Sequence, residues 1–324
     1  MKRRKDFLYI GDGSDNTVKT FDAETGRFLG SFVASGSNGL SGPRGLIFNH
    51  RDNLLVTNQN IDQPQNGNVL EYNGQTGAFL GEFVQSAALG ASFAPRGIVL
   101  SKNLFVADMG DVDIPGELRE YNGKTGVFLG NLNHSCFSGQ FHPRAVVIGP
   151  DHLLYVSVRN LPQPEGGSVL RFNPKTGEFL RVFIESNTVN DLNRPEGLVF
   201  GPDGNLYITS FRSDESDTDK ILIFDGDTGK FLDKIDLDVI GQPRAFAQAL
   251  LFGPNGKLFV PITGDGPDTG SVRRYNVHHH KTYDVFVPPT SAGGPLGEPW
   301  YLSFGNTNPA TLAYRRDWDD DSCE

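Results

Sequence analysis

Apolar residues in this chain come in short runs cut by turn residues, and no long segment shows helical spacing. The run Leu198-Val199-Phe200 meets Gly201-Pro202-Asp203-Gly204-Asn205 and resumes as Leu206-Tyr207-Ile208-Thr209, which predicts a hairpin. A second hairpin phrase follows, Phe224-Asp225-Gly226-Asp227-Thr228-Gly229-Lys230-Phe231-Leu232. Equivalents of it occupy 21–29, 72–80, 121–129 and 172–180, with Thr-Gly pairs beginning at Thr25, Thr76, Thr125, Thr176 and Thr228. A period of about fifty residues that fills a chain with strands means one supersecondary unit, stacked until it closes.

Two hairpins make a four-stranded unit, and radial repetition of such units is a β-propeller. The inner phrase begins at Pro43, Pro95, Pro143, Pro195 and Pro299, with a sixth copy at Pro243 that carries extra residues before Leu251-Phe252-Gly253. With a degenerate last hairpin at 272–287, the prediction is an all-β, six-bladed propeller spanning 7–314 as one domain. Residues 1–6 form a basic leader and 315–324 an acidic tail. Because the chain starts on a second-strand phrase and ends on an inner one, the two termini should share a blade, which removes exposed edges. Leu312, Ala313 and Tyr314 compete with Phe7, Leu8, Tyr9 and Ile10 for the strand beside that inner one.

Composition changes little of this picture. The 39 Gly, 20 Pro and 24 Phe among 324 residues suit tight turns and an all-β core. A formal net charge of −10 argues against nucleic acid as a partner, since that binding neutralises phosphates. No run is long enough for a membrane span or a signal-peptide core, so no membrane partner and a cytoplasmic location are expected. Cys136 and Cys323 make neither a disulfide framework nor a metal spacing.

The Pro-Arg-Gly-Leu and Gly-Pro-Asp-Gly-Asn-Leu-Tyr phrases resemble NHL repeats and the related gluconolactonase-like and virginiamycin B lyase-like six-bladed propellers. The gluconolactonase resemblance implies a divalent metal held by Glu, Asn and Asp at the inner blade ends. Here the residue after the inner proline is Arg44, Arg96, Arg144, Glu196 and Trp300, with Arg244 or Gln248 in the shifted blade. Only Glu196 matches a metal ligand. The lyase-like His and Glu with Leu-Trp-Phe-Thr-Glu strand ends are also missing, since this chain reads Leu206-Tyr207-Ile208-Thr209-Ser210. Neither chemistry carries over residue by residue.

The inner strands of a propeller line its axis, so Arg44, Arg96, Arg144, Glu196, Trp300 and Gln248 or Arg244 should converge on one axial face. Guanidiniums gathered there need counter-charge, and their forks suit carboxylate or phosphate. The expectation is binding of an acidic protein partner or a small anionic ligand. A hydrolase or lyase, with His142 and Glu196 as catalytic groups, is the alternative. Cys136 lies near His142 in sequence and allows a Cys–His pair. Loop carboxylates share this face, at Asp12, Asp15, Asp62, Asp108, Asp111, Asp113, Asp265, Asp268 and across 214–219; Asp214, Glu215, Asp217 and Asp219 are dense enough to suggest a cation, but without an Asp-x-Asp-x-Asp-Gly pattern they read as a solvated acidic loop. No metal ligand set is assigned, and a divalent cofactor has no pattern behind it. His278, His279 and His280 fall on the opposite face.

Overall fold

The computed structural model describes residues 6–60, 66–111, 113–160, 166–187, 189–277 and 282–315. The basic leader up to residue 5, Asp62, His278, His279, His280, Cys323 and the tail from residue 316 lie outside the described residues.

Six four-stranded antiparallel sheets form the molecule. The closing blade joins the two ends of the chain: β24 (Pro299–Phe304) is innermost, followed by β1 (Phe7–Asp12), β2 (Thr17–Asp22) and β3 (Phe28–Val33). The second blade holds β4 (Pro43–Phe48), β5 (Leu54–Asn58), β6 (Asn68–Tyr72) and β7 (Phe79–Val84). The third holds β8 (Pro95–Leu100), β9 (Asn103–Asp108), β10 (Glu117–Asn122) and β11 (Phe128–Asn131). The fourth holds β12 (His142–Ile148), β13 (Leu154–Arg159), β14 (Gly167–Phe172) and β15 (Phe179–Glu185). The fifth holds β16 (Pro195–Phe200), β17 (Leu206–Ser210), β18 (Lys220–Phe224) and β19 (Phe231–Asp236). The sixth holds β20 (Leu251–Phe252), β21 (Leu258–Ile262), β22 (Ser271–Asn276) and β23 (Thr282–Val287).

The Thr-Gly phrase shows why the unit repeats. In its turn Asp22 Oδ1 accepts hydrogen bonds from the Glu24 and Thr25 amides and the Thr25 hydroxyl, and Asn73 does the same for Gln75 and Thr76. The glycine that follows is left-handed, with φ of +69° at both Gly77 and Gly126. A Cβ on Gly126 would fall 1.6 Å from the Phe83 carbonyl oxygen of the preceding blade, and one on Gly77 1.8 Å from that of Phe32. Gly26 meets Phe286 of the sixth blade in the same way, so this contact also closes the ring. Aromatic trios add a second seam. Tyr9 packs edge-on against Phe32 of its own blade and Phe48 of the next, and Phe259 does so against Phe286 and Phe304. Each such pair contributes about 0.5–1.5 kcal/mol beyond area burial.

Two details differ from a regular ring. β1 takes the place beside β24, while Leu312 crosses the end of the channel and packs against core residues of several blades. The crossing segment is pinned by hydrogen bonds from the Leu100 and Ile148 amides to the Pro309 and Ala310 carbonyls. In the sixth blade the inner strand shrinks to Leu251–Phe252. Pro261 in β21 has no N–H for the ladder, and the Arg244, Ala245 and Phe246 amides donate instead to Asp265, Asp238 and Asp219 carboxylates.

Candidate functional site

Reading the same repeat position around the ring gives two layers on the axis. Arg44, Arg96, Arg144, Glu196, Gln248 and Trp300 form the upper one. Gly45, Gly97, Ala145, Gly197, Ala249 and Tyr301 form the layer beneath, around a residual cavity of about 40 Å³ that Leu312 also lines. The small residues are required there: a Cβ on Gly45 would sit 2.7 Å from the Arg96 carbonyl oxygen, and one on Gly97 2.6 Å from Ala145 Cα. Tyr301 is the single large side chain of its layer. Tyr301 and Leu312 fill much of the axis below the arginines and leave only that small cavity.

Strand-borne hydroxyls set the backbone of this layer. Thr57 Oγ1 donates to the Arg96 carbonyl at 2.7 Å, and Ser157 Oγ to the Glu196 carbonyl at 2.5 Å. Trp300 fits because the facing residue is Gly13, whose Cβ would lie 2.2 Å from the indole. The Arg44 guanidinium stacks 3.5 Å above that ring.

Glu196, 1% exposed, is the carboxylate of the hub. Arg159 Nη2 makes the closest approach to its Oε1, Arg144 Nε lies 3.5 Å from Oε1, and Arg96 Nη1 lies 3.9 Å from Oε2. Arg44 donates to Gln59 Oε1 and to Gln248 Oε1, both at 2.7 Å. Arg96 shares Gln248 Oε1 at 3.1 Å and gives its Nε to Met109 Sδ at 3.3 Å. Arg144 Nη1 reaches the same sulfur at 2.8 Å. The contacts to Glu196 are ion pairs without aligned hydrogen bonds, and the Nε atoms of Arg144 and Arg159 are buried with no hydrogen-bond partner.

The charges report on one another. Burial would raise the Glu196 carboxyl, but Arg159, Arg144, Arg96 and Arg44 outweigh it and hold it below the usual range. Burial, then repulsion by Arg96, pushes Arg44 well below the ordinary guanidinium range, and Arg144 follows through burial and Arg159. Burial and then the Glu196 charge push the Tyr301 phenol up to about 12. Guanidiniums keep their protons in proteins, so the downward shifts of Arg44 and Arg144 express burial first and repulsion from neighbouring arginines second.

The sequence candidates separate. Arg44, Arg96, Arg144, Glu196, Gln248 and Trp300 come together. Arg244 does not join them: it pairs with Asp219 at 2.5 Å and stacks 3.8 Å over Phe246. His142 is buried, with Nδ1 3.0 Å from the Met109 carbonyl, and burial followed by Arg144 lowers its pKa. Among the described residues no hydrogen bond joins His142 to Glu196, and Cys136 is an exposed free thiol. Most of the loop carboxylates brace the fold. Asp12 accepts the Gly297 and Glu298 amides and the Lys19 ammonium, and Asp108 accepts the Phe93 and Ala94 amides and Arg119. Asp217 binds Lys220 at 2.6 Å. Among the described residues no three His, Cys, Asp or Glu side chains converge as for a metal ion. A cation also does not fit the hub, where one carboxylate faces four guanidiniums.

Arg159, Gln59, Met109 and Tyr301 were not singled out from the sequence. Gln59, Met109, Arg159, Phe211 and Thr263 are the sixth residue of each second-strand phrase counted from its leucine, with Gly13 in the closing blade. That column, aligned beside the Pro-Arg column, carries the signal.

No family model and no curated protein sequence matches the chain. Among solved structures it is similar to a gluconolactonase from Xanthomonas campestris, at 13% identity and a TM-score of 0.53 over 76% of each chain. The likeness is one of fold, a β-propeller of four-stranded blades. The chain is also similar to virginiamycin B lyase from Staphylococcus aureus, at 15% identity and a TM-score of 0.49, over 85% of this chain and 78% of that one. At 13% identity the gluconolactonase likeness shows fold and implies no chemistry. Among the described residues no helix is long and apolar enough to cross a membrane.

Proposed function

We propose that this propeller is an NHL-like recognition protein that binds a small anion, or an acidic group of a partner, at its arginine-bearing axial face. One observation carries the reading: among the described residues, Arg44, Arg96, Arg144 and Arg159 meet at the hub with Glu196 as their carboxylate, four cations to one anion. Uncompensated buried charge is costly, and an incoming anion lowers that cost. Among the described residues, Asp12, Asp108 and Asp219 are committed elsewhere, to Lys19, Arg119 and Arg244.

The hydrolase or lyase alternative draws on the lactonase-like fold, and the hub geometry does not favour it. A general base works best with a pKa near the operating pH, whereas the guanidiniums lower that of Glu196 and weaken it as a base. The test is calorimetric titration of inorganic phosphate into the wild-type protein and into Arg96→Gln and Arg144→Gln at constant ionic strength. Saturable binding by the wild type that weakens at least about tenfold in both variants supports the reading. Unchanged affinity in the variants, or no heat from the wild type, overturns it.

A further inference from the structure

We infer that the occupant of the hub is a small molecule with two acid groups, such as a short dicarboxylate. This deepens the anion-binding reading and rests on it. Two features lead there. With four guanidiniums around Glu196, three positive charges stay uncompensated among the described residues, so a monoanion leaves two buried charges and a dianion one. The second feature is how the guanidiniums are held apart. Gln248 Oε1 stands between Arg44 and Arg96, at 2.7 Å and 3.1 Å. Met109 Sδ stands between Arg96 and Arg144, at 3.3 Å and 2.8 Å.

Both acceptors are neutral, and a thioether is a weak one. The guanidinium donors already make these bonds charge-assisted, but neither acceptor brings a negative charge, and a carboxylate oxygen in its place would. Two neutral acceptors side by side, each shared by two guanidiniums, mark where two acid groups on a short spacer would bind once Gln248 and Met109 swing aside. Arg96 donates to both acceptors and would bridge the groups.

The experiment titrates acetate, malonate and succinate into the full chain at one ionic strength and follows heat. The dicarboxylates should bind at least about tenfold more tightly than acetate. Gln248→Glu, checked for native circular dichroism, removes one unit of excess charge. It should weaken the best dicarboxylate about twice as much, on a logarithmic scale, as it weakens acetate, since attraction scales with ligand charge. Acetate and both dicarboxylates binding within about twofold of one another overturns the two-group inference and leaves an anion site standing. No binding by any of the three refutes this inference and the anion reading together. If Gln248→Glu does not fold, the wild-type series alone decides.

Discussion

Replacing Glu196 by Gln keeps the shape of the hub and removes its carboxylate. The charge facing four guanidiniums then vanishes, and no acid among their described contacts replaces it. At separations near 3.5–4 Å and an effective dielectric of about 20, each ion pair is worth about 4 kcal/mol. Arg159 in contact, Arg144 at 3.5 Å and Arg96 at 3.9 Å therefore sum to roughly 12 kcal/mol of attraction before offsets. The variant also escapes the desolvation of the carboxylate, which costs several kcal/mol. Breaking a buried pair from one side leaves a net loss of about 3–5 kcal/mol. Urea unfolding at pH 7, compared at unchanged m-value, measures it. The exposed Glu24→Gln is the control and should fall within about 0.5 kcal/mol of wild type. Anion at 100 times its dissociation constant adds about 2.7 kcal/mol to any protein that binds it only when folded. The variant, with one more uncompensated cation, should gain more from a fixed phosphate concentration than the wild type does. A Glu196→Gln protein as stable as wild type, or indifferent to phosphate, would show that the guanidiniums are already satisfied.

Other consequences follow from the same contacts. Gly126→Ala should cost at least about 2 kcal/mol by thermal or urea unfolding, because a left-handed φ and a backbone oxygen 1.6 Å from the new Cβ act together. Gly81→Ala, with nothing within 4 Å of its Cβ and no left-handed φ, should be neutral or stabilising. Asp108→Asn should lose about 1–3 kcal/mol, since one amide oxygen cannot accept from Phe93 and Ala94 together while also pairing Arg119. Stability should fall in two steps as acid is added. His142 is depressed, so the unfolded chain takes a proton that the native state refuses, and stability drops as pH passes below about 6.5. Asp12 and Glu196 are depressed carboxyls, so the stability they add above about pH 4 disappears as pH falls through their native values. Urea midpoints across pH 3 to 8 for wild type and His142→Asn should show that the variant lacks the upper step.

The propeller could be read from the sequence because its determinants are local and repeated. The Asx-Thr-Gly turn and the small residue after Pro-Arg recur for reasons internal to each blade and its neighbour, as Gly126 on Phe83 and Gly97 on Ala145 show. The convergence of Arg44, Arg96 and Arg144 was equally legible, since one repeat position maps to one height on the axis. Arg159 was not, because it belongs to a second column, the residue leaving each second strand, where Gln59, Met109 and Phe211 share no chemistry with it. Arg244 pointed the other way: it follows Pro243 as the other arginines follow their prolines. The extra residues of the sixth blade, with the amides of Ala245 and Phe246 captured by Asp238 and Asp219, hand the axial position to Gln248. Asp12 and Asp108 read only as loop carboxylates of the arginine face; their roles as acceptors for loop amides depend on which backbone lies across the blade.

Crystals soaked in selenate and measured at the selenium edge give the most direct test of a hub built for anions. An anomalous peak within hydrogen-bonding distance of the Arg44, Arg96 and Arg144 guanidiniums is the predicted result. Peaks confined to outer loops, with the four guanidiniums keeping only their protein partners, would contradict it.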